Sequence, residues 1–436
     1  MPDRKAVARK IFTDTLAGID IPATLAQKLL LSGGVIQVGE EAVNLREFRE
    51  IVAISIGKAA VALAEGLSAA LAPDFKVRGI LAGPSKPARK LDGWETIVAG
   101  HPVPNEGSFR AGRELLDLVR ECGKDTLIFF LLSGGGSSLV ELPLDENISV
   151  EEFAKLHHVL VTCGAPIQEI NAIRKHLSAV KGGRLAAAAP EAMKITLGVT
   201  DVPEGQETAL TSGPTLPDPT TVEDAERIAR EYGLMEKLPA KVRDEFERHK
   251  LKETPKEGDR AFARAKFELL LGRRDLFHHA HVAAEAAGFF TVCDNETDGW
   301  PVEKAAQHLL REVNVLARSN KGQPVALIAD GEVSSPVTGK GIGGRNSAFA
   351  LACVEEIAGR EIAVLSAGTD GIDGNSEAAG AVADGETMEK AHAAKMEPKE
   401  FYARSDAFTF FDKLGDAIVT GPTGNNLRDL RILLAE

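Results

Sequence analysis

Leu127-Ile-Phe-Phe-Leu-Leu-Ser-Gly-Gly-Gly-Ser-Ser-Leu-Val140 is the stretch on which the fold turns. An unbroken apolar run ends at Ser133, where three glycines and two serines follow. A short apolar run bounded by turn residues suits a strand buried on both faces. Glycine lets the backbone approach a ligand closely and adopt positive φ, so that successive N–H groups can converge on an anion. Open α/β sheets place their ligands at the carboxyl ends of strands. Ser133, Gly134, Gly135, Gly136, Ser137 and Ser138 are therefore expected to cradle a phosphate or carboxylate, with the serines adding hydroxyl donors. The plainer alternative is a Gly-Ser turn before a hairpin. No Gly-Lys-Ser/Thr closes the loop, so it is not a Walker A motif.

The same theme recurs outward from that stretch. Arg4 to Leu31 has helical spacing, with Pro22 as a break. Ile51–Ile56 reads as a buried strand running into Gly57-Lys58 and an Ala-rich helix. A lysine at a helix start suits an anion site, although a solvated helix lysine would look the same. Val77–Ala82 is a second strand. A third, from Thr96, ends at His101, which either orients a substrate or caps its loop; Pro102 and Pro104 hold that loop extended. A helix from about Ser108 to Cys122 leads into the opening stretch, and Ser149 reads as the N-cap of another. Asn171–Arg184 reads as one helix ending at Gly182-Gly183, with Arg174, Ser178 and Lys181 on one face. Cations in a last turn can merely complement the helix dipole, a strong reading for Lys181 and Arg184, with Lys181 kept as a candidate anion-binding residue. Ile195–Thr200 is a strand leading into Asp201, where a carboxylate commonly acts as base or metal ligand. Strand and helix alternate throughout, which implies parallel sheets flanked by helices.

Residues Val222 to about Arg274 read as polar, charged and helical. From Leu276 the pattern restarts. His278, His279 and His281 lack metal-site spacing and read as surface or core histidines. Pro324–Asp330 is a strand leading to Glu332. The loop Gly339-Lys-Gly-Ile-Gly-Gly-Arg-Asn346 brings Arg345 and Asn346 to a helix start, again an anion-site arrangement. Ile362–Gly371 repeats the strand-then-Gly-Asp pattern with Asp370 and Asp373. Ala417–Asn426 is a strand into a Gly-Asn loop carrying Asn425. The expected division is an N-terminal domain over 1–240, a helical joint over 241–275 and a C-terminal domain over 276–436.

At 436 residues the chain exceeds what one core usually supports, which agrees with two domains. The net charge of −13 argues against nucleic acid as a partner and means that any anionic substrate must be captured by a few local cations. Four scattered cysteines read as reduced core thiols of a cytoplasmic protein. No apolar run is long enough to span a bilayer, and the N-terminus does not read as a signal peptide. Cations beside carboxylates and hydroxyl-rich glycine loops are equipment for phosphoryl transfer, usually with Mg²⁺.

The segments SIGKAA, AGHPVPNEGS, LLSGGGSSLVELP, RKHLSAVKGGRLA, TSGPTLPDPTT, GKGIGGRN, AGTDGIDG and VTGPTGNNLRDLRILL together resemble the class II glycerate kinases, the glycerate 2-kinases with a MOFRL-type C-terminal half. They span nearly the whole chain in the family's order. The resemblance implies two α/β domains, a larger Rossmann-like one and a smaller MOFRL-type one, with the active site in a cleft between them. It implies ATP-dependent phosphorylation of D-glycerate at the 2-hydroxyl. It also implies that the Lys of GKA and the Arg of GGRN, here Lys58 and Arg345, are essential. On this reading Lys58 and Arg345 bracket the substrate carboxylate and the γ-phosphoryl. Asp201 accepts the hydroxyl proton or helps to hold Mg²⁺, with Glu332 and Asp370 as further metal candidates. His101, Lys181, Asn346 and Asn425 are counted with the substrate- and phosphate-binding residues. The expected partners are D-glycerate and nucleotide, with neither nucleic acid nor membrane, and the assembly is left between monomer and homodimer.

The chain departs from the family pattern at Thr200-Asp-Val-Pro-Glu-Gly-Gln, where Ser-Asp-Val-Pro-Gly-Asp is usual. It departs again after Gly-Gly-Arg-Asn346, at Gly374-Asn-Ser-Glu and at Gly424-Asn-Asn. These loops bear on substrate detail and nucleotide preference. One rival is a hydroxypyruvate reductase, which would need a nicotinamide fingerprint that the sequence lacks. Others are a kinase for a related small hydroxy acid and a non-catalytic metabolite binder.

Overall fold

In the computed structural model, residues 3–200, 202, 205–425 and 427–436 are described. After a small antiparallel hairpin of β1 (Val35–Val38) and β2 (Glu41–Asn44), the apolar runs of the first half become a six-stranded sheet. Its strands are β3 (Glu50–Ile56), β4 (Val77–Gly83), β5 (Trp94–Val98), β6 (Thr126–Ser133), β7 (Met193–Val199) and β8 (Ala265–Leu271), in the order β5-β4-β3-β6-β7-β8. The pairs from β5 through β7 are all parallel. Every residue of β6 is buried, as its unbroken apolar run requires of a central parallel strand. Each such Leu, Ile or Phe stabilises the fold by about 1.5–3 kcal/mol.

The strand order decides where a ligand can bind. From β3 the chain moves outward through β4 and β5, then returns to lay β6 on the other side of β3. At such a reversal the loops leaving the two strands diverge and open a crevice at their carboxyl ends. Ile56 pairs with Leu132, so Gly57-Lys58 and the Ser133–Ser138 loop leave the sheet side by side.

The second sheet is built differently from the expectation. It comprises β9 (Phe290–Asp294), β10 (Val325–Asp330), β11 (Ile362–Gly368), β12 (Gly380–Asp384), β13 (Ala417–Ile418) and β14 (Asp429–Ala435), in the order β13-β12-β11-β14-β10-β9. Only β9 and β10 pair in parallel, and the other neighbours are antiparallel. The sheet is therefore mixed rather than largely parallel. The cause is β14, which fills the place between β10 and β11 running against both. That geometry brings the ends of β10 and β11 to the start of β14, with Asp330 opposite Leu430 and Gly368 opposite Asp429.

The chain divides into two compact units, Ile21–Leu270 and Met1–Asp20 with Leu271–Glu436. This differs from the expected division at both boundaries. Helix Arg4–Gly18 packs on helix Arg273–Ala286 and on β11, β12 and β14, so it belongs with the C-terminal half. Pro22 opens the next helix, Ile21–Leu29, at a position where its missing N–H costs nothing. Residues 241–275 are not a purely helical joint: after helix Ala240–Glu247 and a short helical turn at Arg260–Phe262 they supply β8, an edge of the first sheet. The helix read over 171–184 stops at Leu177, because Leu144 N–H takes the Leu177 carbonyl and Ala179 N–H takes that of Leu142. Where the reading was local it held, as with the Ser149 cap, whose hydroxyl accepts from Glu152 N–H at 3.3 Å. Cys122 and Cys353 are buried, but Cys293 is exposed, so not all four are core thiols.

Candidate active site

At the β3/β6 switch point the backbone is packed to its limit. Gly57 has φ +124°, and a Cβ there would lie 2.1 Å from Ser133 Oγ, so only glycine fits. Lys58 N–H donates to the Gly134 carbonyl at 2.9 Å, and Ala59 N–H donates to Ser133 Oγ at 3.0 Å. These bonds lash the start of helix Ala60–Leu71 to the glycine loop and hold the Lys58 side chain over it. Gly135 has φ +83°, and a Cβ on it would meet His101 Cε1 at 3.1 Å and Lys58 Cγ at 3.2 Å. Lys58, His101 and the loop therefore converge.

The hydroxyls do a different job from the one expected. Ser133 Oγ donates back to the Ile56 carbonyl, and Ser138 Oγ donates to the Gly135 carbonyl while bonding His101 Nδ1 at 3.0 Å. With its proton so directed, Ser138 accepts from His101, which places the imidazole proton on Nδ1. Ser137 bonds Ser212 at 2.8 Å, and Ser212 donates to Asn171 Oδ1 at 3.1 Å. All three serines thus shape the loop, and what it offers an anion is backbone N–H. Thr211 Oγ1 donates to the Ser133 carbonyl, and Thr211, Ser212 and Gly213 are all left-handed, with φ of 54°, 57° and 60°. That is strain in a β-branched residue, held where it supports the loop.

Lys181 lies elsewhere in energetic terms. It is fully buried, bonded to the Glu141 carboxylate and to the Val140 carbonyl, and Glu141 also accepts from Ser178. Burial pulls the lysine below its ordinary pKa, with Glu141 opposing. Its charge is already matched inside the protein. Asp201 lies outside the described residues.

The converging strand ends of the second sheet carry the other cluster. Arg345 begins helix Arg345–Ile357 and is held by two carboxylates: Asp429 takes Nε at 2.5 Å and NH2 at 3.3 Å, while Glu332 takes NH1 at 2.9 Å and NH2 at 2.7 Å. Burial works against its charge, but Asp429 and Glu332 outweigh it and hold the guanidinium pKa above its ordinary value. The helix start itself is filled. Buried Asp373 accepts from the N–H groups of Gly344, Asn346 and Ser347 and from Ser347 Oγ. A helix N-terminus favours an anion, and here the protein supplies its own. Asn346 is likewise internal, its Oδ1 accepting from Ser366 at 2.7 Å. Behind them Asp330 is buried between Arg428 at 3.4 Å and Arg273 at 3.3 Å. Burial, only partly offset by those arginines, pushes its pKa up to about 6. Asp330 and Asp373, noted in the sequence for their places after buried strands but given no role, are structural partners here, and so are Arg428 and Asp429, which the sequence did not single out. The cue for Asp330, Arg428 and Asp429 was their position at strand ends. Asn425 and Asp370 lie on the same edge: Asp370 accepts from Ile372 N–H, and Asn425 N–H bonds Thr423 Oγ1.

Among the described residues no three His, Cys, Asp or Glu side chains gather as a metal cage. Both Glu332 oxygens face Arg345, which fits poorly with a metal role. No described helix is long and apolar enough to cross a membrane.

A two-unit α/β protein with a lysine-bearing glycine loop at a switch point belongs to a definite class. Residues 7–247 match a domain of unknown function (DUF4147), and residues 325–429 match the MOFRL family. The chain is 35% identical over 386 residues to the D-glycerate 2-kinase of Thermotoga maritima, covering 88% of this chain and 90% of that one. It is 32% identical to the glycerate 2-kinase of Pyrococcus horikoshii, covering 96% of each. A relative from Agrobacterium vitis, 35% identical and covering 88% and 86%, carries a provisional hydroxypyruvate reductase name. The crystal structure of the Thermotoga maritima glycerate kinase superposes with a TM-score of 0.84 at 31% identity over 99% of both chains. The chain belongs to the glycerate 2-kinase family of MOFRL-containing proteins, and it is a kinase.

Proposed function

We propose that this enzyme transfers the γ-phosphoryl group of ATP to the 2-hydroxyl of D-glycerate, giving 2-phosphoglycerate and ADP. The observation that carries this reading is the convergence of Lys58, His101 and the glycine loop at the β3/β6 switch point. Backbone N–H groups of Gly134 to Gly136 hold phosphate oxygens, and Lys58 meets the charge that grows on the transferring group. Arg345, fixed by Asp429 and Glu332, presents what remains of its fork to an anionic oxygen. Asp201 takes the hydroxyl proton or ligates magnesium, with Asp370 as a further ligand. Bound Mg²⁺ would supply charge neutralisation at the phosphate oxygens, and it commonly needs only one or two protein carboxylates beside them. The four free cysteines fit a reducing, cytoplasmic setting. Whether the enzyme works as a homodimer is decided by light scattering.

The test is a coupled ADP-release assay with ATP, Mg²⁺ and a panel of small hydroxy acids, with the product identified chromatographically. D-glycerate should be the best substrate and 2-phosphoglycerate the product. Release of 3-phosphoglycerate, or NAD(P)H oxidation with hydroxypyruvate and no ADP, would refute the reading.

A further inference from the structure

Behind the glycine loop lies a buried charge that no carboxylate of the described residues pairs. Arg174, in the last turn of helix Ile167–Leu177, is 6% exposed, and no carboxylate among the described residues lies within ion-pairing distance of it. Its hydrogen bonds go to neutral acceptors, Asn171 Oδ1 at a long 3.5 Å and His157 Nδ1 at 3.2 Å. A guanidinium only donates, so His157 Nδ1 is the acceptor and its proton sits on Nε2. Burial, then Arg174, Lys181 and His101, hold His157 neutral with a pKa of about 4, so it is an uncharged acceptor for Arg174. Among the described residues the acid whose charge acts on Arg174 is Glu141, which buried Lys181 already neutralises.

Several other buried cations have counter-charges. Lys175 has Asp218 at 3.0 Å, and Arg428 has Asp298 and Asp330. Lys194 and Arg431, like Arg174, are bonded only to neutral groups: two backbone carbonyls at 3.0 and 2.9 Å for the first, the Gly331 carbonyl and the Phe349 ring for the second. What sets Arg174 apart is its place: Asn171 Oδ1 also accepts from Ser212, which accepts from Ser137 of the glycine loop. A buried charge met only by neutral groups destabilises a fold unless a ligand completes it. Of the five N–H bonds a guanidinium carries, two are used, and its flat fork matches a pair of anionic oxygens.

We propose that Arg174 binds the carboxylate of the hydroxy acid, so that the loop side of the site reads the substrate's charge while Lys58 and the glycines handle phosphate. This deepens the proposed function and rests on it. It also explains how a chain with net charge −13 can draw in a small anion: Lys58 and Arg174 at one loop, with Glu141 cancelled, make a locally positive site.

The experiment is steady-state kinetics and calorimetric binding on the wild type, Arg174→Gln and Arg174→Lys, using D-glycerate, its uncharged amide and ATP. The expected result for Arg174→Gln is a rise of some thirtyfold or more in KM and Kd for D-glycerate. KM for ATP should stay within about twofold, and the preference for acid over amide should collapse. Arg174→Lys, which keeps the charge and the fold but loses the fork, should fall in between. Thermal melts report whether each variant is folded; should Arg174→Gln fail to fold, Arg174→Lys carries the test. An unchanged acid-to-amide preference, or a rise confined to the ATP KM, overturns the assignment. Absence of glycerate-dependent ADP release by the wild type instead overturns the proposed function.

Discussion

Lys181→Met separates scaffold from substrate contact at a residue where both readings were open. Lys181 and Glu141 are each 1% exposed. Glu141 keeps two other donors when the lysine is removed, Ser178 Oγ at 2.5 Å and Leu142 N–H at 3.0 Å. Neither carries charge, so the variant strands a carboxylate in the interior. Removing one partner of a buried pair costs about 3–5 kcal/mol. For a unit of this size that is roughly 6–20 °C of melting temperature at about 2–4 °C per kcal/mol. The double variant Glu141→Gln/Lys181→Met removes both charges and keeps an acceptor for Ser178. It should recover most of the loss, because a buried pair and a neutral replacement are often near balance. Scanning calorimetry and guanidinium titration of both variants measure this, following the transition that the single variant moves. If Lys181 is scaffold, the double variant also keeps kcat/KM within a few-fold of wild type. A single variant as stable as wild type would refute the energetic argument. A stable double variant without turnover would return Lys181 to the substrate.

Lys58→Ala should lower kcat by orders of magnitude and change D-glycerate binding little, because charge on the transferring group is met mainly in the transition state; near wild-type turnover would remove Lys58 from the mechanism. Arg345→Lys keeps charge but loses the two-pronged grip on Asp429 and Glu332, and should cost at least tenfold in kcat/KM, with full activity counting against the fork. Gly135→Val must place a branched side chain at φ +83° against His101 and Lys58, so the ATP requirement should rise more than tenfold for a folding cost of about 1–2 kcal/mol; unchanged ATP dependence in a folded variant would make the loop a mere turn. His157 has a folded pKa of about 4, depressed below its unfolded value. Its contribution to stability is complete above the unfolded pKa of about 6.5 and drains away as pH falls toward the folded value. Wild type should therefore lose more melting temperature than His157→Gln between neutral pH and about pH 4.5, and parallel curves would contradict the assignment.

The first sheet was legible because its strands are apolar without interruption. Ile51–Ile56 and Leu127–Leu132 have no polar residue that a half-exposed strand would need, apart from Ser55, whose hydroxyl is bonded to the Ala60 carbonyl. Strand direction in the second sheet was not legible. Leu430 to Leu434 is apolar apart from Arg431, but nothing local says that this segment will run backwards between β10 and β11. Edge strand β8 was masked by its charges, Lys266 and Glu268, which lie at half-exposed positions. In the site, Lys58 and the glycine loop could be read because glycine, lysine and a strand end are adjacent in sequence. Lys181, Asn346 and the start of the Arg345 helix could not. The partners that internalise them, Glu141, Ser366 and Asp373, lie 20 to 40 positions away.

Helix Arg4–Gly18 has a consequence for how the protein is made. Its buried Ala8, Ile11 and Phe12 lie against elements that include β14, and Lys5 pairs with Asp416 at 2.6 Å. A ribosome moving at about 5–20 residues per second takes on the order of 20–80 s to get from one to the other. Through that interval the first apolar helix waits outside the tunnel while the whole Ile21–Leu270 unit emerges and can fold. It therefore stays open to chaperones and proteases through that interval. A fragment cut at Leu271 would be missing a piece of its own interior.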